Sequence, residues 1–232
     1  MKKILILVIG LIIFYSCSSE ENENTMYVRG SIKGLKKGTL YLQKQMDSIV
    51  VSVDSVSVNG TENFMMTDVI ISPEMYYLTL GKGLKKIAFF GEKDTISIRS
   101  NLDRFVTKAK VSGSENQDLL DDYYAIMKKF NDQNLDLIKE EFEARKSGVQ
   151  DSVDLVAKKL KSLNRRKYLY TTNYAVHNGD FEVAPYIALT ELVNANIKLL
   201  DTINNALSPE IKNSKYGKQL NIFITEIKEN EK

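Results

Sequence analysis

The sequence of 232 residues contains one cysteine, one histidine and no tryptophan. A lone cysteine cannot close a disulfide within the chain, and it cannot supply the CxxC pair of a thiol–disulfide redox centre. A lone histidine argues against His-rich metal sites and against a nucleophile activated through a histidine network. The absence of tryptophan removes the flattest aromatic anchors of a carbohydrate-binding platform. Long apolar runs are also scarce. Residues 4–15 form an almost unbroken apolar stretch, but a membrane-spanning helix needs about 20 such residues. Net charge is small as well. Lys2 and Lys3 belong to the N-terminal segment, and without them 30 basic residues face 30 acidic ones. A neutral chain of this kind lacks the basic excess that nucleic-acid binding favours.

The first 24 residues have an order of their own. Two lysines are followed by an apolar run of the length of a secretory h-region, about 7–15 residues. Then come Ser16 and Cys17 in "FYSCSSEENEN". This arrangement resembles the lipobox of bacterial lipoproteins, although Phe14 stands where leucine is common and Tyr15 is bulky. The resemblance implies a signal peptide over residues 1–16, cleavage before Cys17, and acylation of that cysteine, with palmitate among the acyl chains. Such an anchor buries many methylenes at about 0.8 kcal/mol each and holds stably. Residues 17–25 then read as an acidic tether without periodicity. An acidic stretch after the cysteine also resembles the surface-export signal of some Gram-negative lipoproteins; a solvated linker accounts for it equally well.

The remainder changes character near residue 113. Before it, short alternating segments such as "MYVRGSIK", "GTLYLQK", "ENFMMTD" and "DTISIRS" are separated by Gly, Asn and Asp. Regular spacing of this kind predicts an antiparallel β-sandwich or barrel-like domain over 26–112. In "SIVVSVDSVSV", alternation places Val51, Val53 and Ser55 on one face, and the "NG" at 59–60 signals a hairpin. After Gly113 the period becomes helical. Ser114 and Gln117 form a capping box, and Leu119, Tyr123, Ile126, Met127 and Phe130 recur at three- and four-residue steps. Further helices are expected over 151–177, 185–197, 199–207 and from Ser214 onward. The fold class is therefore α+β, with a helical segment over 113–232 packing its apolar stripes on the β domain.

Five segments, "YVRGSIKGLKKGTLYLQK", "DSVSVNG…NF", "KKIAFFGEKDTISI", "KVSGSENQDLLDDYY" and "LSPEIKNSKYGKQL", resemble a family of unknown function over residues 26–226. Its members are Gram-negative lipoproteins in which this domain precedes a thioredoxin-like domain of periplasmic thiol–disulfide oxidoreductases. The thioredoxin-like domain and its CxxC would begin about where this sequence stops, so no redox residue carries over. The resemblance implies the accessory half of such a protein, served by a thioredoxin-like partner supplied in trans.

Other motifs carry weaker signals. "KGLKK" occurs at 33–37 and 82–86. Two basic loop tips touching a polyanion are one reading; two hairpin turns are the favoured one. Asp-Ser/Thr-aliphatic triplets occur five times and resemble a bacterial O-glycosylation motif, which implies acceptors at Ser48, Ser55, Thr95, Ser152 and Thr202. The same triplet also suits strand entries and helix N-caps. His177 is expected at a helix C-terminus, where a cation complements the dipole. Met46, Met65, Met66, Met75 and Met127 are expected to fill core, and Asp121 and Asp122 to lie on a solvated face. Catalytic, cofactor-binding and metal-binding residues are not expected. The expected function is a lipid-anchored binding or docking module of the outer membrane, facing periplasm or cell surface, with an envelope protein as partner. A small-ligand (lipid or glycan) binder and an enzyme without a readable motif remain open.

Overall fold

The β-branched and aromatic alternation of residues 25–112 produces eight strands. They are β1 (Thr25–Lys33), β2 (Lys37–Met46), β3 (Ile49–Asn59), β4 (Asn63–Val69), β5 (Glu74–Leu80), β6 (Lys86–Gly91), β7 (Asp94–Asn101) and β8 (Lys110–Ser112). The computed structural model describes residues 24–46, 49–81, 83 and 85–230. Two four-stranded sheets form, in the orders β4-β1-β7-β8 and β3-β2-β5-β6. Their facing sides bury one core of Val28, Ile32, Leu40, Leu42, Phe64, Met66, Tyr76, Leu78, Phe89, Ile96 and Ile98. The α+β class and the sandwich agree with the sequence reading, but the sandwich is not wholly antiparallel. β1 and β7 run parallel, with Val28 opposite Ile96 and Gly30 opposite Ile98.

Three local expectations change because chain direction alternates between sheets. The "NG" at 59–60 links β3 of one sheet to β4 of the other, so it makes a crossover rather than a hairpin. Gly60 takes a positive φ of 79° there. The first "KGLKK" also crosses between sheets and buries Leu35, whereas the second closes the β5–β6 hairpin. On β3, the register shifts between Leu42 and Gln43 of its partner. Val53 packs on the core as the alternation places it, but past the bulge the inward face passes to Val56 and Val58, leaving Ser55 exposed.

Strand polarity sorts the loops into two ends. Loops 33–37, 60–62 and 102–109, with Gly81, Gly83 and Lys85, lie at one end of the sandwich. Asn24, the β2–β3 tip, residues 70–73, residues 92–93 and Gly113 lie at the other. The helices leave from this second end.

They are α1 (Glu115–Ser147), α2 (Gln150–His177), α3 (Val183–Glu191), α4 (Ile197–Ala206), α5 (Pro209–Asn213) and α6 (Lys215–Asn230). Local signals set most boundaries. Ser114 accepts from the Gln117 N–H at 2.9 Å, Gly148 ends α1 at φ 71°, and Ser208 caps α5 ahead of Pro209. The third helix begins two residues earlier than expected and stops at Glu191, well short of 197; a turn then leads to an N-cap at Asn196. The helices share a second core, which includes Leu120, Tyr123, Ile187, Leu200, Ile203, Leu220 and Ile224. Strand residues Met75 and Phe90 belong to this core. β5 is consequently buried on both faces, with Tyr76 and Leu78 toward the other sheet and Met75 toward the helices. No helix among the described residues is long and apolar enough to cross a membrane.

Candidate functional site: the joint, the cleft and the projecting arm

The joint between sandwich and helices is built from side chains that satisfy backbone groups across it. Gln117 turns its carbonyl oxygen to the Phe90 N–H at 2.9 Å and donates its amide to Asp121 at 2.7 Å. The expected capping box is therefore only half formed, because the exposed edge of β6 claims the Gln117 side chain. Glu92 accepts from the Ser114 hydroxyl at 2.6 Å and from the Asn116 N–H at 2.7 Å. Asn116 in turn accepts from the Val183 N–H at 2.7 Å and donates to Glu182 at 3.2 Å. It thus fastens the start of α3 to the start of α1. Aromatic rings close the remaining space: Phe90 meets Tyr186 and Tyr216 edge-on, at 5.2 and 6.1 Å between centroids.

Burial holds the Glu182 carboxyl above its ordinary value of 4.5, although its own backbone N–H and Asn116 oppose the shift. The sign follows directly. A carboxyl with a raised folded-state pKa binds its proton more tightly when folded, so stability falls as pH rises from the ordinary value through the folded one. Glu182→Gln should therefore be more stable than the wild type at pH 7. The difference should close by about pH 4, where both carboxyl forms are protonated. Thermal melts between pH 4 and 8 check this; equal pH dependence in the two proteins would refute it.

Beside the joint lies an open cleft of about 610 Å³ between β2, residues 69–74 and the α5–α6 corner. Its floor carries a charge network. Lys44 donates to Asp68 at 2.6 Å and lies 3.5 Å from Glu74. Tyr76 donates to Asp68 at 2.7 Å. Lys215 pairs with Glu74 and donates to the Gln45 carbonyl at 2.8 Å. Burial, reinforced by Asp68, pushes the Tyr76 phenol up, so it stays protonated. Two cations are matched by two carboxylates across four elements, β2, β4, β5 and α6, which makes the network a clamp between the sheets and α6. Burying such charges is tolerable only with partners this complete.

The third feature is an arm. α1 has 33 residues and α2 has 28, so they extend about 50 and 42 Å. Their bases pack in the helical core, where Tyr123 shares a hydrogen bond of 2.8 Å with Thr171. Tyr174 donates to the Leu119 carbonyl at 2.6 Å. Past Phe130 on α1 and before Leu163 on α2, only Ala144 and Val156 are buried among the described residues. Leu135, Ile138 and Phe142 remain exposed on successive turns, Phe142 by 66%. They continue the stripe that Leu120 and Met127 bury lower down.

The residues singled out in the sequence scatter over this framework. Cys17 and Ser48 lie outside the described residues. Ser55 and Thr202 are exposed, whereas Thr95 and Ser152 are half-buried. The acidic partners of these triplets have structural work: Asp54 accepts from the Ser55 and Thr67 N–H groups at 2.7 and 2.8 Å. Asp201 pairs with Lys228 at 2.7 Å. His177 closes α2 and is exposed. Met66, Met75 and Met127 fill core as expected, but Met46 and Met65 are exposed. The first stands at a hairpin tip and the second on the outer face of an edge strand. Sequence reading missed Asn116, Glu182 and Lys215, since the partners of their side chains lie 66 to 170 residues away. Lys33, Lys36 and Lys37 of the first "KGLKK" share the sandwich end opposite the joint with Lys85 and Lys86 of the second, which neither copy signals alone.

Comparison with curated proteins and with solved structures gives no match. A family model does match, from β1 to the second turn of α1, a shorter span than the 26–226 of the sequence resemblance. Residues 26–120 match the model of a family described as Domain of unknown function (DUF4369).

Proposed function

We propose that this chain is a lipid-anchored docking module of the bacterial outer membrane, facing periplasm or cell surface, which holds a protein partner and performs no catalysis itself. The observation that carries the reading is the arm. Its apolar stripe leaves the helical core and continues over Leu135, Ile138 and Phe142, which stay exposed among the described residues. Charges of both signs flank the stripe, with Asp136 and Lys139 paired at 3.2 Å and Glu141 and Arg145 at 2.6 Å. An apolar strip edged by mixed charge suits a helical or sheet surface of another protein. The interior supports the same reading: the joint and the clamp spend their polar groups on one another. Family resemblance adds a thioredoxin-like protein as the partner, and the acylated Cys17 as the anchor.

The test is crosslinking of the full-length protein in its native envelope, comparing wild type with Ile138→Asp/Phe142→Asp. Both side chains are exposed, so unfolding free energy should change by no more than about 0.5 kcal/mol per site. Crosslinks to the partner should fall by about tenfold or more, the effect of removing two apolar anchors from an interface. Crosslinks that survive the double substitution would overturn the arm as the docking surface.

A further inference from the structure

The end of the sandwich where the described chain begins is also where bulky apolar side chains are left uncovered. Asn24 accepts from the Ile70 N–H at 3.0 Å, and Thr25 pairs with Val69. Ile71, the next residue, is fully exposed. Met46, Val69 and Ile71 line the mouth of one cleft. Ile49 stands directly across the ladder from Met46 and is 65% exposed, with Val50 beside it. Two neighbouring loop tips thus present five large apolar side chains at one place. Of the three lysines that line this cleft beside Glu74, Glu182 and Glu210, Lys44 is paired with Asp68 and Lys215 with Glu74.

We propose that this patch is a membrane-contact surface, seated at the headgroup–acyl boundary of the bilayer that holds Cys17. The proposal rests on the acylation of Cys17 in the reading above. Cys17 precedes Asn24 by seven residues, at most about 25 Å of extended chain. An acyl anchor on so short a tether keeps this end at the bilayer. The opposite end, with Lys33, Lys36, Lys37, Lys85 and Lys86, lies a strand length further away, about 25–35 Å. Aliphatic side chains over matched charges suit the apolar side of the interface rather than anionic headgroups. The tether also keeps lipid at high effective concentration, so a patch too small to bind membranes alone suffices.

The absence of tryptophan makes the test clean, because one introduced tryptophan is the sole indole signal. Full-length acylated Ile71→Trp protein is reconstituted into phosphatidylcholine–phosphatidylethanolamine vesicles. It is compared with Val106→Trp, an exposed site at the far end of the sandwich. The expected result is blue-shifted emission from the tryptophan at 71, quenching by brominated acyl chains, and protection from aqueous iodide relative to the tryptophan at 106. Intact mass on the same samples reports the acyl chains. Acylated protein with both sites equally open to iodide would overturn the membrane contact and leave the anchor standing. Unacylated protein with both sites open would overturn the contact and the anchor together.

Discussion

Phe90→Ala should lower the free energy of unfolding by about 3–5 kcal/mol, the usual cost of truncating a fully buried phenylalanine. Phe90 is wholly buried, yet it belongs to the helical core rather than to the sandwich core of its own strand. Its ring fills the angle between Tyr186 on α3 and Tyr216 on α6. Tyr216 is fixed from the other side, accepting from the Met75 N–H at 2.9 Å. Truncation removes the aromatic contact through which β6 meets two helices at once. The loss should also be uneven. Hydrogen exchange should rise first in α3 and α6, while the pairing of β1 with β4 stays protected. Phe90→Leu retains most of the volume and should cost less than about 1.5 kcal/mol. Urea denaturation of both variants measures the difference, and a loss below about 1 kcal/mol for the alanine would refute this account of the joint.

Gly30→Ala should be comparably severe for a different reason. A Cβ at position 30 would stand 1.8 Å from the Ile98 carbonyl oxygen and 3.0 Å from the end of the Phe64 ring. The oxygen belongs to β7, the strand that runs parallel to β1, so backbone must move to admit one methyl group. Overpacking usually costs 1–3 kcal/mol and more where backbone cannot yield; here the cost should exceed about 3 kcal/mol. Ser31→Ala, next in the same strand, should stay within about 1 kcal/mol. Soluble yield and thermal midpoint of the two variants test this, and equal behaviour would show that β1 and β7 are less closely apposed than described.

What could be read in advance depended on how far each signal reaches along the chain. Ser114, Gly148, Asn178 and Ser208 mark helix ends through bonds to residues three or four positions away, and a sequence shows those directly. Strands were legible for the same reason, since alternation is local. Sheet membership was not. Nothing around Asn59 and Gly60 tells a hairpin from a crossover, because the difference lies in which distant strand β4 joins. The β3 bulge likewise reflects register against β2, so alternation alone carried the face of Val53 on to Ser55 instead of Val56 and Val58. Gln117 looked like a capping residue and became a joint residue, because the β6 edge offered it an unpaired N–H. Gly30 reads as an ordinary strand glycine until β7 is laid against it. The arm was visible as two long amphipathic helices, but not as a projection, since sequence does not show that the other described residues stop covering α1 beyond Phe130.

The most direct test of the docking account places a photo-crosslinking residue at Phe142 of the full-length protein in its native envelope, with a second at Asp103, at the far end of the sandwich, for comparison. The account predicts one discrete protein adduct from position 142 that position 103 does not give, and that disappears when Ile138 is also changed to Asp. Equal, diffuse labelling from both positions would contradict it, because an arm built to dock a protein cannot be as bare in the envelope as an ordinary loop.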